Sequence, residues 1–191
     1  MPPLTCALVG KSSEKGTVIF REDFFMLFCM PPLCQAMIRI HGREGDVNGT
    51  GRWYSDATHM RELETSELDK GKFRSYRLAR FDLKKEYLIM GNSTDCEEHP
   101  LGEFHAPFGW LEEAHYEGEH STPAGVKVQV WAARHDEFSF ILGVKPETPD
   151  VPYVFEREEG KTVIGYEFTS FKAVDPPATS FNVPPECTKR Q

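Results

Sequence analysis

The chain has 191 residues, a formal net charge of -8, 39% hydrophobic residues and 27% charged ones. That length can bury one core without many staples, and an acidic surface that repels phosphate backbones excludes nucleic acid as a partner. No apolar run approaches the roughly 18 to 20 residues that span a bilayer, so no transmembrane segment is expected.

The first stretch, residues 1–33, is the least legible. MPPLTCALVG has no basic start and only a short apolar centre, so it does not read as a convincing secretory signal. TVIF reads as a short strand. FFMLFCM (Phe24 to Met30) is apolar but stops at Pro31 and Pro32. A damaged signal region, a surface- or partner-binding segment and an extra core strand all remain open for it. A division at residue 33 is expected, with one β domain over residues 34–191.

From Cys34 the pattern sharpens. MIRI alternates apolar and basic residues, and Asn48-Gly49 carries a hairpin signal. RWYSDATHMRELETSEL reads as two strands around a turn near Asp56. KFRSYRLARFDLKKEYLIMG reads as one strand followed by another, with helix as the alternative for DLKKEYLIM. Turn signals every 8 to 12 residues or so suggest an all-β sandwich or barrel. Asn48 and Asn92 each begin an N-x-[ST] sequon in an expected turn, where a secreted chain could carry a glycan.

Gly102 to Gly125 reads as the longest loop, with a short helix in PFGWLEEAHY after Pro107. His99, His105, His115 and His120 stand among Glu97, Glu98, Glu103, Glu112, Glu113, Glu117 and Glu119. Imidazole with carboxylate suits transition metals, and carboxylates suit calcium. No HExxH fixes two ligands on one face, however, and a solvated acidic loop accounts for the run equally. The metal ligands stay unknown. His135 and Asp136 fall at a hairpin and read as turn residues rather than a dyad. No GxSxG elbow, P-loop or GxGxxG occurs, so nothing marks an enzyme.

Three strong strands close the chain: VKVQVWAA (Val126 to Ala133), FSFILGVK (Phe138 to Lys145) and TVIGYEFTSFKAV (Thr162 to Val174). Their alternation and their aromatic and β-branched residues suit a pleated, half-buried surface. The proline-rich DPPATSFNVPPEC that follows cannot be a central strand. The expected fold is mainly all-β, with antiparallel sheets curved into a half-open barrel and one or two short helices. A concave face would offer an apolar pocket. Its candidate lining is Val128, Val130, Phe138, Phe140, Leu142, Ile164, Tyr166 and Phe168, although periodicity alone does not say which face is concave.

The ordered series from Cys34-Gln35 through GRWYSDATHMREL, Asp95-Cys96, VQVWAARHDEFSFILGVKPETPDVPYVFE and TVIGYEFTSFKAVDPPATSFNVPPEC resembles the ependymin-related family, of LolA/LppX-like fold. The likeness covers about residues 34–188. It implies a secreted or lysosomal, non-enzymatic protein that binds lipid or another hydrophobic molecule. It also implies calcium binding and a homodimer, with a calcium-dependent extracellular adhesion or matrix role as the alternative. On the same resemblance Cys96 and Cys187 form a disulfide. Cys34 resembles the family's first cysteine, but Val151 occupies its usual partner's place. The pairing of Cys6, Cys29 and Cys34 therefore stays open.

Overall fold

The computed structural model describes residues 5–10, 25–30, 33–42, 48–91, 93–135, 138–160 and 162–188, the first two segments as backbone. The strands are β1 (Thr5–Gly10), β2 (Phe25–Met30), β3 (Leu33–Gly42), β4 (Asn48–Asp56), β5 (Arg61–Leu68), β6 (Phe73–Arg80) and β7 (Lys85–Met90). They continue with β8 (Cys96–Pro100), β9 (His115–Ser121), β10 (Lys127–Arg134), β11 (Phe138–Lys145), β12 (Thr148–Glu159) and β13 (Thr162–Lys172). The one α-helix described is Pro185–Thr188, and four short 3-10 turns complete the fold.

Eleven strands form a single antiparallel sheet in the order β8-β7-β6-β5-β4-β3-β13-β12-β11-β10-β9. It is two meanders joined where β13 pairs with β3. The sheet curves but does not close, giving the all-β half-open barrel expected from the sequence. β1 and β2 pair separately, with Cys6 opposite Cys29 in register. This hairpin approaches the 3-10 helix Gly109–Glu113, β9 and β12.

The curvature has a local cause on β4. Gly49 and Gly51 share a face with Trp53 and Ser55. A Cβ at Gly51 would meet the Thr65 carbonyl oxygen, and one at Gly49 the Glu67 carbonyl oxygen. Bare glycines let β5 close in over β4, as at the corner of a barrel. Gly51→Ala should therefore cost on the order of 2 kcal/mol by overpacking. Urea unfolding would check it; an unchanged midpoint would sink the corner argument.

Alternation splits the sheet into two covered faces. On the convex side Leu63, Leu78, Tyr87 and Cys96 pack against Phe181, with Tyr54, Tyr76, Ile89, Val183 and Cys187 around them. Here the C-terminal segment lies flat on β4 to β8. Arg61 stacks 4.6 Å from the Phe181 ring centroid, and Arg80 donates to the Phe181 carbonyl at 3.0 Å. The disulfide between Cys96 and Cys187, with Cα atoms 5.0 Å apart, pins the end of this segment to β8. Cys34 is the free cysteine among the described residues, and it is buried.

The concave side is filled by a crossing. β8 and β9 are consecutive in sequence yet stand at opposite ends of the sheet order. The connection, residues 101–114, must cross the opening. Its Leu111 and Ala114 pack on Trp131, Leu142 and Val144, and its Phe108 meets Trp53 and Phe155 edge-on at 5.6 and 6.1 Å.

Several expectations are corrected by this arrangement. Asn48-Gly49 is no turn: Asn48 pairs with His41 in the ladder. The strand expected in DLKKEYLIM, by contrast, is present from Lys85 on. The stretch expected as one long loop contains β9 and a 3-10 rather than an α-helical turn. β12, unassigned from sequence, runs between the two late strands. Asn92, Asp136 and TVIF at 17–20 lie outside the described residues.

Candidate functional site

Under the crossing segment lies a cleft of about 1170 Å³. β11, β12 and β13 present one wall. On β11 the register sets Leu142 opposite Phe155, and Phe155 in turn stands opposite Tyr166 on β13. Directly opposed residues of antiparallel strands point to the same face. The result is a run of rings: Phe138 to Phe140 at 5.3 Å, Phe140 to Phe155 at 6.1 Å and Phe155 to Tyr166 at 5.9 Å between centroids. Trp110, from the crossing segment, sits 5.4 Å from Phe140 and 6.2 Å from Phe155. Its indole Nε1 is buried and finds no hydrogen-bond partner among the described residues. A buried donor left unpaired costs about 1 to 3 kcal/mol.

The other wall is polar. Glu62 and Glu64 alternate with Leu63 on β5 and so share the concave face. Arg77 on β6 stands opposite Glu64, and Glu86 on β7 stands opposite Ala79. Arg77 donates to Glu86 at 2.6 Å and lies 3.8 Å from Glu62. The Tyr166 hydroxyl donates to Glu64 at 3.4 Å. It reaches across the barrel from β13 to β5 and joins the aromatic wall to the acidic one. Among the described residues, Glu62 receives no hydrogen bond.

Burial sets the electrostatics of this wall. It pushes the Glu62 carboxyl up to about 7, against the pull of Arg77. It also raises Glu64, with Arg77 and the Tyr166 hydroxyl opposing. The Tyr166 hydroxyl is raised by burial and by Glu64 beside it. Cys34, on β3 two strands from Glu62, is pushed up to about 12, mainly by burial. Its thiol is an inert part of the core, since the thiolate is the reactive form.

Of the candidate pocket residues, Phe138, Phe140, Tyr166 and Phe168 line the cleft. Leu142 lies on the same face but is fully buried beneath Leu111. Ile164 is 36% exposed and does not line it. Val128 and Val130 are corrected outright. Trp131 is the β10 residue opposite Leu142, so Val128 and Val130 point to the convex face. There Val128 and Val154 close over Gly143, where an added Cβ would touch both. Trp53, Glu62, Glu64, Arg77, Glu86, Phe108, Trp110 and Phe155 line the cleft but were not singled out from sequence.

The acidic and histidine-rich run is dispersed. Glu97, Glu98 and His99 lie on β8 and His115 to His120 on β9, at opposite edges of the sheet. No three His, Cys, Asp or Glu among the described residues come together as metal ligands would. His135 stacks on Phe138 at 4.5 Å. Asn48 is exposed at the start of β4. No described helix is long and apolar enough to cross a membrane.

No family model and no curated protein matches the chain. Among solved structures, an uncharacterized conserved protein from Thermus thermophilus superposes with a TM-score of 0.54 at 16% identity, over 81% of this chain and 87% of that one. A β-barrel-like protein of domain of unknown function DUF1849 from Brucella abortus aligns with a TM-score of 0.35 at 6% identity, over 76% of this chain and 99% of that one. The first likeness is one of fold.

Proposed function

We propose that this is a non-enzymatic binding protein that holds a lipid or similar amphipathic molecule in the concave cleft. The observation that carries the reading is the aromatic wall under the crossing segment, a large concave surface with few polar groups on that side. An acyl chain laid on it would be stabilised by about 0.8 kcal/mol per buried CH2. The bond between Cys96 and Cys187 joins the two cysteines that the ependymin-related resemblance pairs. A disulfide of this kind supports an oxidising, extracellular or lysosomal setting.

The test is native mass spectrometry of protein secreted from a eukaryotic host, followed by titration of the delipidated protein with a fluorescent fatty amine or acid. Lipid-sized adducts that vanish on denaturation are expected. Phe140→Ala should weaken probe binding about ten-fold, since one buried aromatic side chain is worth about 1.5 to 3 kcal/mol. A bare mass together with no saturable probe binding would end the proposal.

A further inference from the structure

We infer that the cleft selects amphiphiles with a cationic amine head, which the Glu62–Glu64–Glu86 wall receives while the chain lies along the Phe138–Phe140–Phe155–Tyr166 rings. The inference rests on the binding proposal and adds the chemistry of the head group. Its first ground is a charge count. Five carboxylates line the cleft (Glu62, Glu64, Glu86, Glu112 and Glu113) against two guanidinium groups, Arg77 and Arg157, and two imidazoles, His105 and His135. Both guanidinium groups are committed: Arg77 is hydrogen-bonded to Glu86 at 2.6 Å, and Arg157 is paired with Glu159 at 2.8 Å. Among the described residues that line the cleft, no guanidinium is left over for an anionic head.

The second ground is position. Glu62 and Glu64 sit on the inner wall with side chains that face the cavity. Glu64 is held by the Tyr166 hydroxyl, and Glu62 is 3.8 Å from Arg77 with no hydrogen bond received among the described residues. A carboxylate in a poorly hydrated place whose cationic neighbour stands 3.8 Å away is only partly compensated. An ammonium group brings charge and donors together. The third ground is the opposing surface. Cations are attracted to ring faces, and the stacked rings end at Tyr166, whose hydroxyl touches the acidic wall. A cation held at Glu64 would therefore lie at the end of the aromatic run as well as against a carboxylate. An anionic head would meet an excess of carboxylates over guanidinium groups at that end, which is discrimination by mismatch.

The experiment compares three probes with the same ten-carbon chain below their micellar concentrations: decylammonium, decyl maltoside and decyl sulfate. Calorimetric titration of the delipidated, full-length protein at pH 8 should rank them in that order. The ammonium should bind about ten-fold more tightly than the maltoside, in line with a charge-assisted hydrogen bond to a partly buried carboxylate. Glu62→Gln with Glu64→Gln should bring the ammonium-to-maltoside ratio to about one. Either single variant, expected to lower the ratio about three-fold, replaces the double if that does not fold. Equal binding of all three probes, preference for the sulfate, or an ammonium preference that survives the substitutions would overturn the inference and leave the pocket standing. No binding of any probe would overturn both.

Discussion

Serine at both Cys96 and Cys187 should lower the stability of the protein by roughly 4 to 5 kcal/mol, the loop-closure value for a span of this length. The bond links positions 91 residues apart and thus restrains about half of the chain in the unfolded state. The native-state consequence is local and can be read separately. Cys187 belongs to the segment that lays Phe181 and Val183 on Leu63, Leu78 and Tyr87. Phe181 is 1% exposed, and it is also held through its carbonyl by Arg80. The packed ring should keep the tail near the sheet after the bond is lost, while residues beyond it fray. Urea unfolding of the double variant, with amide exchange across β8 and the last turn, separates the two effects. A loss below about 1 kcal/mol would mean that the unfolded chain is already held in other ways, and the entropic account would fail.

Glu62→Gln should do the opposite and stabilise the protein, increasingly as pH rises above about 4.5 and fully above about 7. Burial holds the folded Glu62 carboxyl at about 7 against its usual 4.5. Between those values the folded state holds a proton that the unfolded chain has given up. Stability therefore falls as pH rises through this window, and the loss is complete above about 7. The full effect is about 3 kcal/mol by linkage. Gln removes the charge at all pH values, although Arg77 then loses one neighbouring carboxylate. A net gain of about 2 kcal/mol at pH 8, and near equality at pH 4.5, is expected. The difference between variant and wild type isolates this group from others. Asp56 has the reverse sign and a different window. Burial alone would raise it, but hydrogen bonds from Arg61 and His59 outweigh this and hold it below its usual 3.8. Its contribution is present above that value and is lost only as pH falls further. Urea midpoints at pH 4.5, 6 and 8 provide the test. If wild type and variant decline in parallel, Glu62 is not titrating as stated.

The late strands were legible because each carries an apolar alternation on its own. Phe138 to Lys145 is strand from end to end, and its Phe138, Phe140 and Leu142 do share a face. What alternation withholds is which face is inside. Val128 and Val130 alternate as cleanly as any residues in the chain, but the ladder puts Trp131 opposite Leu142. The β-bulge between Val130 and Trp131, where β10 meets β9, is likewise a property of the pairing and not of either segment. β12 is unassigned from sequence because Pro149, Asp150 and Pro152 break up its pattern. β9 was hidden because its side chains are mostly exposed and leave no apolar face to detect. The acidic wall was the least legible part. ETSEL looks like a solvated strand face, and Glu64 acquires its meaning from Tyr166, 102 residues later.

The open sheet has a further consequence in its two ends. β8 and β9 each pair on one side only, so each presents a row of backbone groups to which another chain could add a strand. Both are short. β8 reads CEEHP, with a terminal proline that cannot donate, and β9 reads HYEGEHS, with Gly118 at a φ of 105°. The carboxylates that suggested a calcium loop thus stand where like charges keep copies of the chain from zipping together. They act as a guard against fibrous self-assembly, one that weakens wherever protons or bound cations neutralise Glu97, Glu98, Glu117 and Glu119.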